Sequence, residues 1–412
     1  MTTPHVAEPE AHAHPFVFLI LYLPFGIASG YVIVTLGYLL SQAGVSVTGI
    51  AGLIALYSFP QTWKVLWAPV VDTTLTAKRW YLIAALAVGL CLLGTAFVPT
   101  RPESMGLFYG LVLVLSITAS VVAMSAESLM AHATPEKLKG RAGGWSQAGN
   151  LGGTGLGGGA GLWMAQNVTP WSAGAALGIF SLLCCVALWF VKEESRAHLS
   201  LRYFDSIVDV GKDVWTVARS RAGFLTFILF VLPIGTGAAS NLWPAVASDW
   251  HTGADTVALV NGALNGVVSI AGCLVAGFLC DRMDRKTGYA VFSLLMAGCA
   301  VAMAMSARTR EMFILFTMVY AFFNGFCYAA FSAVTLETIG KGAAATKYNL
   351  LACVANVPIT YMTLVDGQAQ SWWGSGGMLY TEAALGVAAI GIFSVIALAT
   401  RKRTPAALAS PA

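Results

Sequence analysis

Lys64 is the residue whose chemistry is hardest to avoid. It lies inside an apolar run, eight positions before Asp72, so its ammonium sits about 12 Å along a helix from the acid at the end of that run. A cation at such depth costs several kcal/mol unless water, an anion or a carboxylate meets it. Tyr57, Gln61 and Lys64 stand at i, i+4 and i+7, one polar stripe able to hold an anionic solute. The plainer alternative for Lys64 is snorkelling to the inner surface or a structural ion pair.

Three other runs carry comparable stripes: Asn261, Asn265 and Ser269; Asn324 and Tyr328; and Asn349, Cys353, Asn356 and Thr360. Amides at these spacings share a helix face, and in lipid that face turns inward to find partners. Jointly they describe an uncharged, hydrogen-bonding cavity suited to sugars, peptides or other polar solutes, with helix-to-helix adhesion as the bland reading. Among the acids, Glu127 and Glu337 stand 210 apart (337 − 127), and the cations Arg141 and Lys347 follow them. Asp366 lies deep enough in its run to be a candidate proton-coupling residue, a solvated edge position being the alternative.

Membrane helices must position these side chains. Of 412 residues 57% are hydrophobic and only 10% charged, far more apolar than a soluble domain of that length. A span needs about 20 apolar residues. The sequence predicts twelve, at 16–40, 47–71, 80–99, 104–131, 142–166, 170–191, 221–247, 255–279, 288–307, 311–339, 346–366 and 379–399. Leu-Pro-Phe-Gly at Pro24 recurs as Leu-Pro-Ile-Gly at Pro233 (233 − 24 = 209), and Asp72 recurs as Asp281 at the same offset. The expected fold class is an all-α polytopic membrane protein, with twelve transmembrane helices in two pseudo-symmetric six-helix bundles. A flexible tail at 1–15 precedes bundles at 16–191 and 222–400. The cytoplasmic linker at 192–221 carries Asp205, Asp209 and Asp213 at the spacing of a helix lying on the inner membrane face, and a cytoplasmic tail follows at 401–412. The first span is too long for the apolar core of a cleaved signal peptide.

With the N-terminus inside, the inner loops and tail hold nineteen of the 23 basic residues. The outer loops hold three, Arg101, Arg308 and Arg310, and Lys64 is the remainder. That asymmetry predicts cytoplasmic termini and explains the net charge of +4 without a nucleic-acid partner. All eight cysteines fall in or, for Cys280, at the very end of expected spans, with no zinc or disulfide spacing, so neither a metal nor any other cofactor is expected. No P-loop pattern occurs and the inner loops are short, which argues against ATP and against a soluble catalytic domain.

The stretch Gly277-x3-Asp281-Arg282-x2-Arg285-Lys286 resembles the inner-loop signature of the major facilitator superfamily. The upstream copy departs from it, with Ala68 for the glycine, Thr73 and Thr74 after Asp72, and Lys78-Arg79 arriving late. The resemblance implies two six-helix bundles around a central cavity, with Asp72, Asp281 and Arg282 in an inner gate. It also implies that Glu127 with Arg141, and Glu337 with Lys347, form a cytoplasmic salt-bridge gate. The run Leu23-Pro24-x-Gly26, followed by Pro60-x3-Lys64-x2-Trp67-Ala68-Pro69-x2-Asp72, is similar to the AmpG-type muropeptide permeases and acetyl-coenzyme A transporters. That block covers about the first seventh of the chain, and related siderophore importers carry a similar one. It implies a multi-pass protein of a bacterial-type inner (plasma) membrane.

The fifth span holds Gly149, Gly153, Gly157 and Gly161 at strict four-residue spacing, a face on which two helix backbones can touch. It also resembles a glycine-proline signature of proton-linked drug exporters, except that Thr154 stands where proline is required. A membrane-embedded enzyme built on Ser146 lacks a histidine within any span to act as base. The reading is therefore a secondary active importer of a small polar, anionic solute such as a muropeptide. It works by alternating access, with protons and the lipid bilayer as its other partners. A siderophore importer or a proton-coupled exporter of drugs or metabolites is the alternative.

Overall fold

A computed structural model describes residues 13–67, 71, 74–134, 139–192, 208, 211–212, 215–216, 219–280, 282–339 and 344–402. Asp72, Thr73, Asp281, Asp205, Asp209, Asp213, the tail through residue 12 and the chain from 403 lie outside the described residues, as do the side chains of Arg141 and Lys347.

Among the described residues every regular element is helical. The passes are α1 (Val17–Gln42), α2 (Val47–Trp63), α3 (Ala77–Phe97), α4 (Met105–Ala133) and α5 (Lys139–Gly155, continued by Gly161–Asn167). They continue as α6 (Pro170–Phe190), α7 (Arg221–Val231), α8 (Ala254–Cys280), α9 (Arg285–Met305) and α10 (Arg310–Ile339). The run Ala344–Lys402 is divided into α11 and α12 by Gly374, whose φ of 71° and ψ of −176° only glycine adopts cheaply. Asp366 and Glu382, on either side of it, would stand about 24 Å apart in one straight helix. Instead they interact electrostatically and both approach Tyr320, so the chain folds back on itself there. The sequence reading expected a loop over 367–378, but helix continues through it and one residue makes the turn.

The seventh pass is broken where a continuous span over 221–247 was expected. α7 stops at Val231, and short helical turns follow at Ala238–Leu242, Trp243–Val246 and Ala247–Trp250. Pro233 has no N–H to give a helix, and Gly235 (φ 63°) and Gly237 (φ 64°) are left-handed. The equivalent Pro24 sits inside helical α1, where Gly26 is helical too. The repeat nevertheless recurs in bonds: Tyr81 donates to the Leu21 carbonyl and Tyr289, 208 residues later (289 − 81), to that of Ile234, each at 2.9 Å.

Small residues set the closest approaches. A Cβ on Gly26 would stand 2.1 Å from the Asn150 oxygen, one on Gly30 2.0 Å from that of Thr154, and one on Gly157 2.1 Å from that of Ile27. The glycine run of α5 thus packs backbone to backbone on α1, while Gly159 meets Gly262 of α8 on its other side. π-helical stretches at Tyr31–Leu36, Leu156–Ala160 and Ala258–Leu264 interrupt α1, α5 and α8. These three stretches adjoin one another. Below, the end of the bundle at which α1 begins is the near end and the opposite one the far end.

Candidate substrate and coupling site

α2 tightens at its near end: Trp63 leaves helical geometry at φ −133°, and Lys64–Leu66 form a single 3-10 turn. The Trp63 ring stacks on Trp67 with centroids 4.6 Å apart. From this turn Lys64 Nζ reaches within 3.6 Å of Glu127 Oε1 on α4, and the Tyr22 hydroxyl of α1 donates to the same oxygen at 2.8 Å. The two charged side chains are 13% and 25% exposed, so a charge that lipid would penalise is compensated by a carboxylate while keeping a narrow path to water.

The rest of the expected stripe is used differently. Gln61 Nε2 donates to Ser120 Oγ at 2.6 Å, and Ser116 Oγ donates to the Tyr57 carbonyl, so this face of α2 is bonded to α4. Tyr57 is buried, and its hydroxyl faces the Ser29 side chain of α1. Lys64 instead looks towards α11, where the Cys353 thiol lies against the backbone of Lys64 and Val65. Cys353 is the centre of the Asn349, Asn356 and Thr360 stripe; both amides are half-buried, and Thr360 bonds back to the Asn356 carbonyl at 3.0 Å.

The other amides are spread along the C-terminal half. Asn261 sits in the π-helical stretch of α8, 8% exposed, and its Oδ1 lacks a partner among the described residues. Asn265 is half-buried one turn further along α8. Asn324 of α10 packs its amide over Gly237 in the α7 break. Tyr328, also on α10, is 55% exposed beside Cys273, whose thiol donates to the Gly325 carbonyl at 3.1 Å.

Of the expected gate, Glu337 pairs with Arg285 at 3.8 Å in an exposed contact. Arg282, in the turn after α8, lies 3.4 Å over the Phe278 ring and donates to the Phe278 carbonyl at the end of that helix. Asp284, not singled out from the sequence, caps α9 by accepting from the Thr287 N–H at 2.8 Å and from its hydroxyl at 2.7 Å. The Thr287 hydroxyl above all, with help from its N–H and the nearby Lys286, holds the Asp284 carboxyl below the usual range against the opposing effect of burial.

Asp366 of α11 is fully buried, and neither carboxylate oxygen has a hydrogen-bond partner among the described residues. Its neighbour Glu382 on α12 accepts from the Tyr320 hydroxyl at 2.7 Å and from the Ala239 N–H at 3.1 Å. Sequence reasoning passed over Glu382, although an acid inside the twelfth expected span was the signal available. Among the described residues no three His, Cys, Asp or Glu side chains converge as a metal site.

The halves touch at the far end, where Ser41 Oγ donates to the Ala245 carbonyl at 2.6 Å and Thr48 Oγ1 to that of Gly367 at 3.1 Å. On the chain's likeness to known proteins, a profile described as the Major Facilitator Superfamily matches residues 18–356. The fold is similar to the partially occluded inward open conformation of the xylose transporter XylE from E. coli, with a TM-score of 0.70 and 14% identity over 97% of this chain and 99% of that one. A D-xylose-proton symporter gives 0.69 at 13% identity, over 90% and 97% of the two chains. A POT family transporter in complex with a thioalcohol conjugated peptide gives 0.68 at 11%, over 94% and 96%. At such identities the likeness is one of fold.

Proposed function

Because the chain belongs to the Major Facilitator Superfamily, we propose that it imports a small polar, anionic solute of the muropeptide class across an inner (plasma) membrane, driven by protons. It is a carrier and not an enzyme. Its two six-helix halves rock about the solute, and the far-end bonds of Ser41 and Thr48 belong to the state closed on that side.

The observation that carries this reading is the convergence of Lys64, Glu127 and Tyr22 opposite Cys353 on α11. An arriving anion takes the place of Glu127 beside the ammonium, and charge is conserved in a poorly hydrated site. Asn349, Asn356, Asn261, Asn265, Asn324 and Tyr328 supply hydrogen bonds to the neutral parts of the solute, while Tyr57 and Gln61 brace the Lys64 turn. Glu127, released, is available to Arg141. That exchange, with Glu337 and Lys347 and with Asp72, Asp281 and Arg282, gates access. Asp366 carries the coupled proton.

Proteoliposomes holding the purified protein should accumulate labelled muropeptide under an inward proton gradient and lose that uptake when a protonophore collapses it. Uptake indifferent to the protonophore contradicts the coupling. Uptake of a ferric siderophore in place of the muropeptide reassigns the solute within the same mechanism.

A further inference from the structure

We propose that Asp366 and Glu382 form one proton-binding site that sets the conformation of the α7 break through the N–H groups that Glu382 caps. The proposal rests on the proton-driven carrier reading but refines it: Asp366 keeps a resident proton that primes the pair, the exchanging proton binds the second acid, Glu382, and its arrival has a mechanical consequence. Left-handed Gly235 and Gly237 turn the chain so that the first turn after the break offers its N-terminus to Glu382. The Ala239 N–H bonds Glu382 Oε2, with the Ala238 N–H and the Thr236 hydroxyl also in reach, and Tyr320 bonds Oε1. Asp366, fully buried with both oxygens unpartnered among the described residues, stands beside it.

The groups facing the pair are Tyr320 from α10, Thr236 and two backbone amides from α7, and Cys299 of α9 behind Tyr320. None of them carries positive charge. Two adjacent carboxylates withdrawn from water, with no cation facing them among the described residues, cannot both stay ionised, so the pair retains a proton. Glu382 already holds several donors, which favour its charged form; Asp366 holds none and takes the proton. A cavity of about 20 Å³ lined by Gly235, Thr236, Ser293, Tyr320 and Glu382 adjoins the site, room for about one water beside the Glu382 carboxyl. A second proton arriving there adds an O–H to Glu382 and neutralises it, weakening its bonds from the Ala239 and Ala238 amides. The break then loosens, and loss of that proton to water restores the cap.

Infrared difference spectra of the full chain in lipid, recorded across pH, test the site without any solute. A protonated-carboxyl band should be present, disappear in Asp366→Asn and shift in Glu382→Gln. Hydrogen exchange over 235–242, corrected for intrinsic rates, should be several-fold faster in Glu382→Gln than in the parent. Tyr320→Phe, which removes one donor and little volume, should shift the same band and serves if Glu382→Gln does not fold. A carboxyl band unchanged by all the substitutions, or parental exchange over 235–242 in Glu382→Gln, overturns the proposal. Because no solute enters, a wrong solute or coupling assignment is seen separately, in the uptake assay.

Discussion

Lys64 and Glu127 meet 3.6 Å apart where α2 gives way to a 3-10 turn, 63 residues separating them along the chain (127 − 64). Each neutralises a charge that the surrounding helices cannot solvate. Removing one partner leaves the other stranded, whereas removing both leaves only the lost packing.

Lys64→Ala and Glu127→Gln should therefore each destabilise the protein by about 1–3 kcal/mol, below the figure for a fully buried pair because both groups keep some water. The double variant should cost less than the sum. Denaturation in mild detergent, analysed as a double-mutant cycle, measures the coupling. Strict additivity contradicts a direct pair.

Helix contacts without side chains make a second test. Gly30→Ala places a methyl 2.0 Å from the Thr154 oxygen, and Gly157→Ala one 2.1 Å from that of Ile27, so α1 and α5 must separate. A loss of about 1–3 kcal/mol is expected for each. Gly110→Ala on α4 meets no atom within 4 Å and should be neutral or stabilising by up to about 1 kcal/mol, through helix propensity. Thermal unfolding of the three variants side by side decides.

The pH dependence of the α9 cap has a definite sign. Thr287 holds the folded Asp284 carboxyl below its ordinary value of about 3.9. Its contribution is therefore complete above that value and lost as pH falls through the lowered folded one. Asp284→Ala should cost about 0.5–1 kcal/mol at neutral pH, since the residue is exposed, and progressively less below pH of about 4. A penalty constant with pH refutes the cap as the cause.

What the sequence made legible follows from what each signal depends on. A lysine in an apolar run announces itself, so Lys64 could be picked out directly, whereas the end of α2 at Trp63, short of the expected span over 47–71, could not. Partners depend on contacts across the bundle. Glu127 was visible as an acid, but the oxygen shared by Tyr22 and Lys64 was not. Leu-Pro-Ile-Gly was read as the echo of Leu-Pro-Phe-Gly; what opens α7 is the pair of left-handed glycines two residues apart, which α1 lacks. The segment 367–378, with its glycines and paired tryptophans, looked like a loop because helices that outrun the bilayer need not be apolar. Glu382 lay in plain view, and only the fold-back at Gly374 gives it Asp366 as a neighbour.

Recognition of the solute's anionic part by the Lys64 ammonium can be read in a thermal-shift comparison. Purified parent and Lys64→Ala protein would be screened against a muropeptide and the same compound with its carboxylates amidated. The acidic compound should raise the parent's melting temperature, the amidated one should raise it far less, and Lys64→Ala should respond weakly and equally to both. An undiminished response of Lys64→Ala to the acidic compound, or a parent that binds both forms alike, would contradict it.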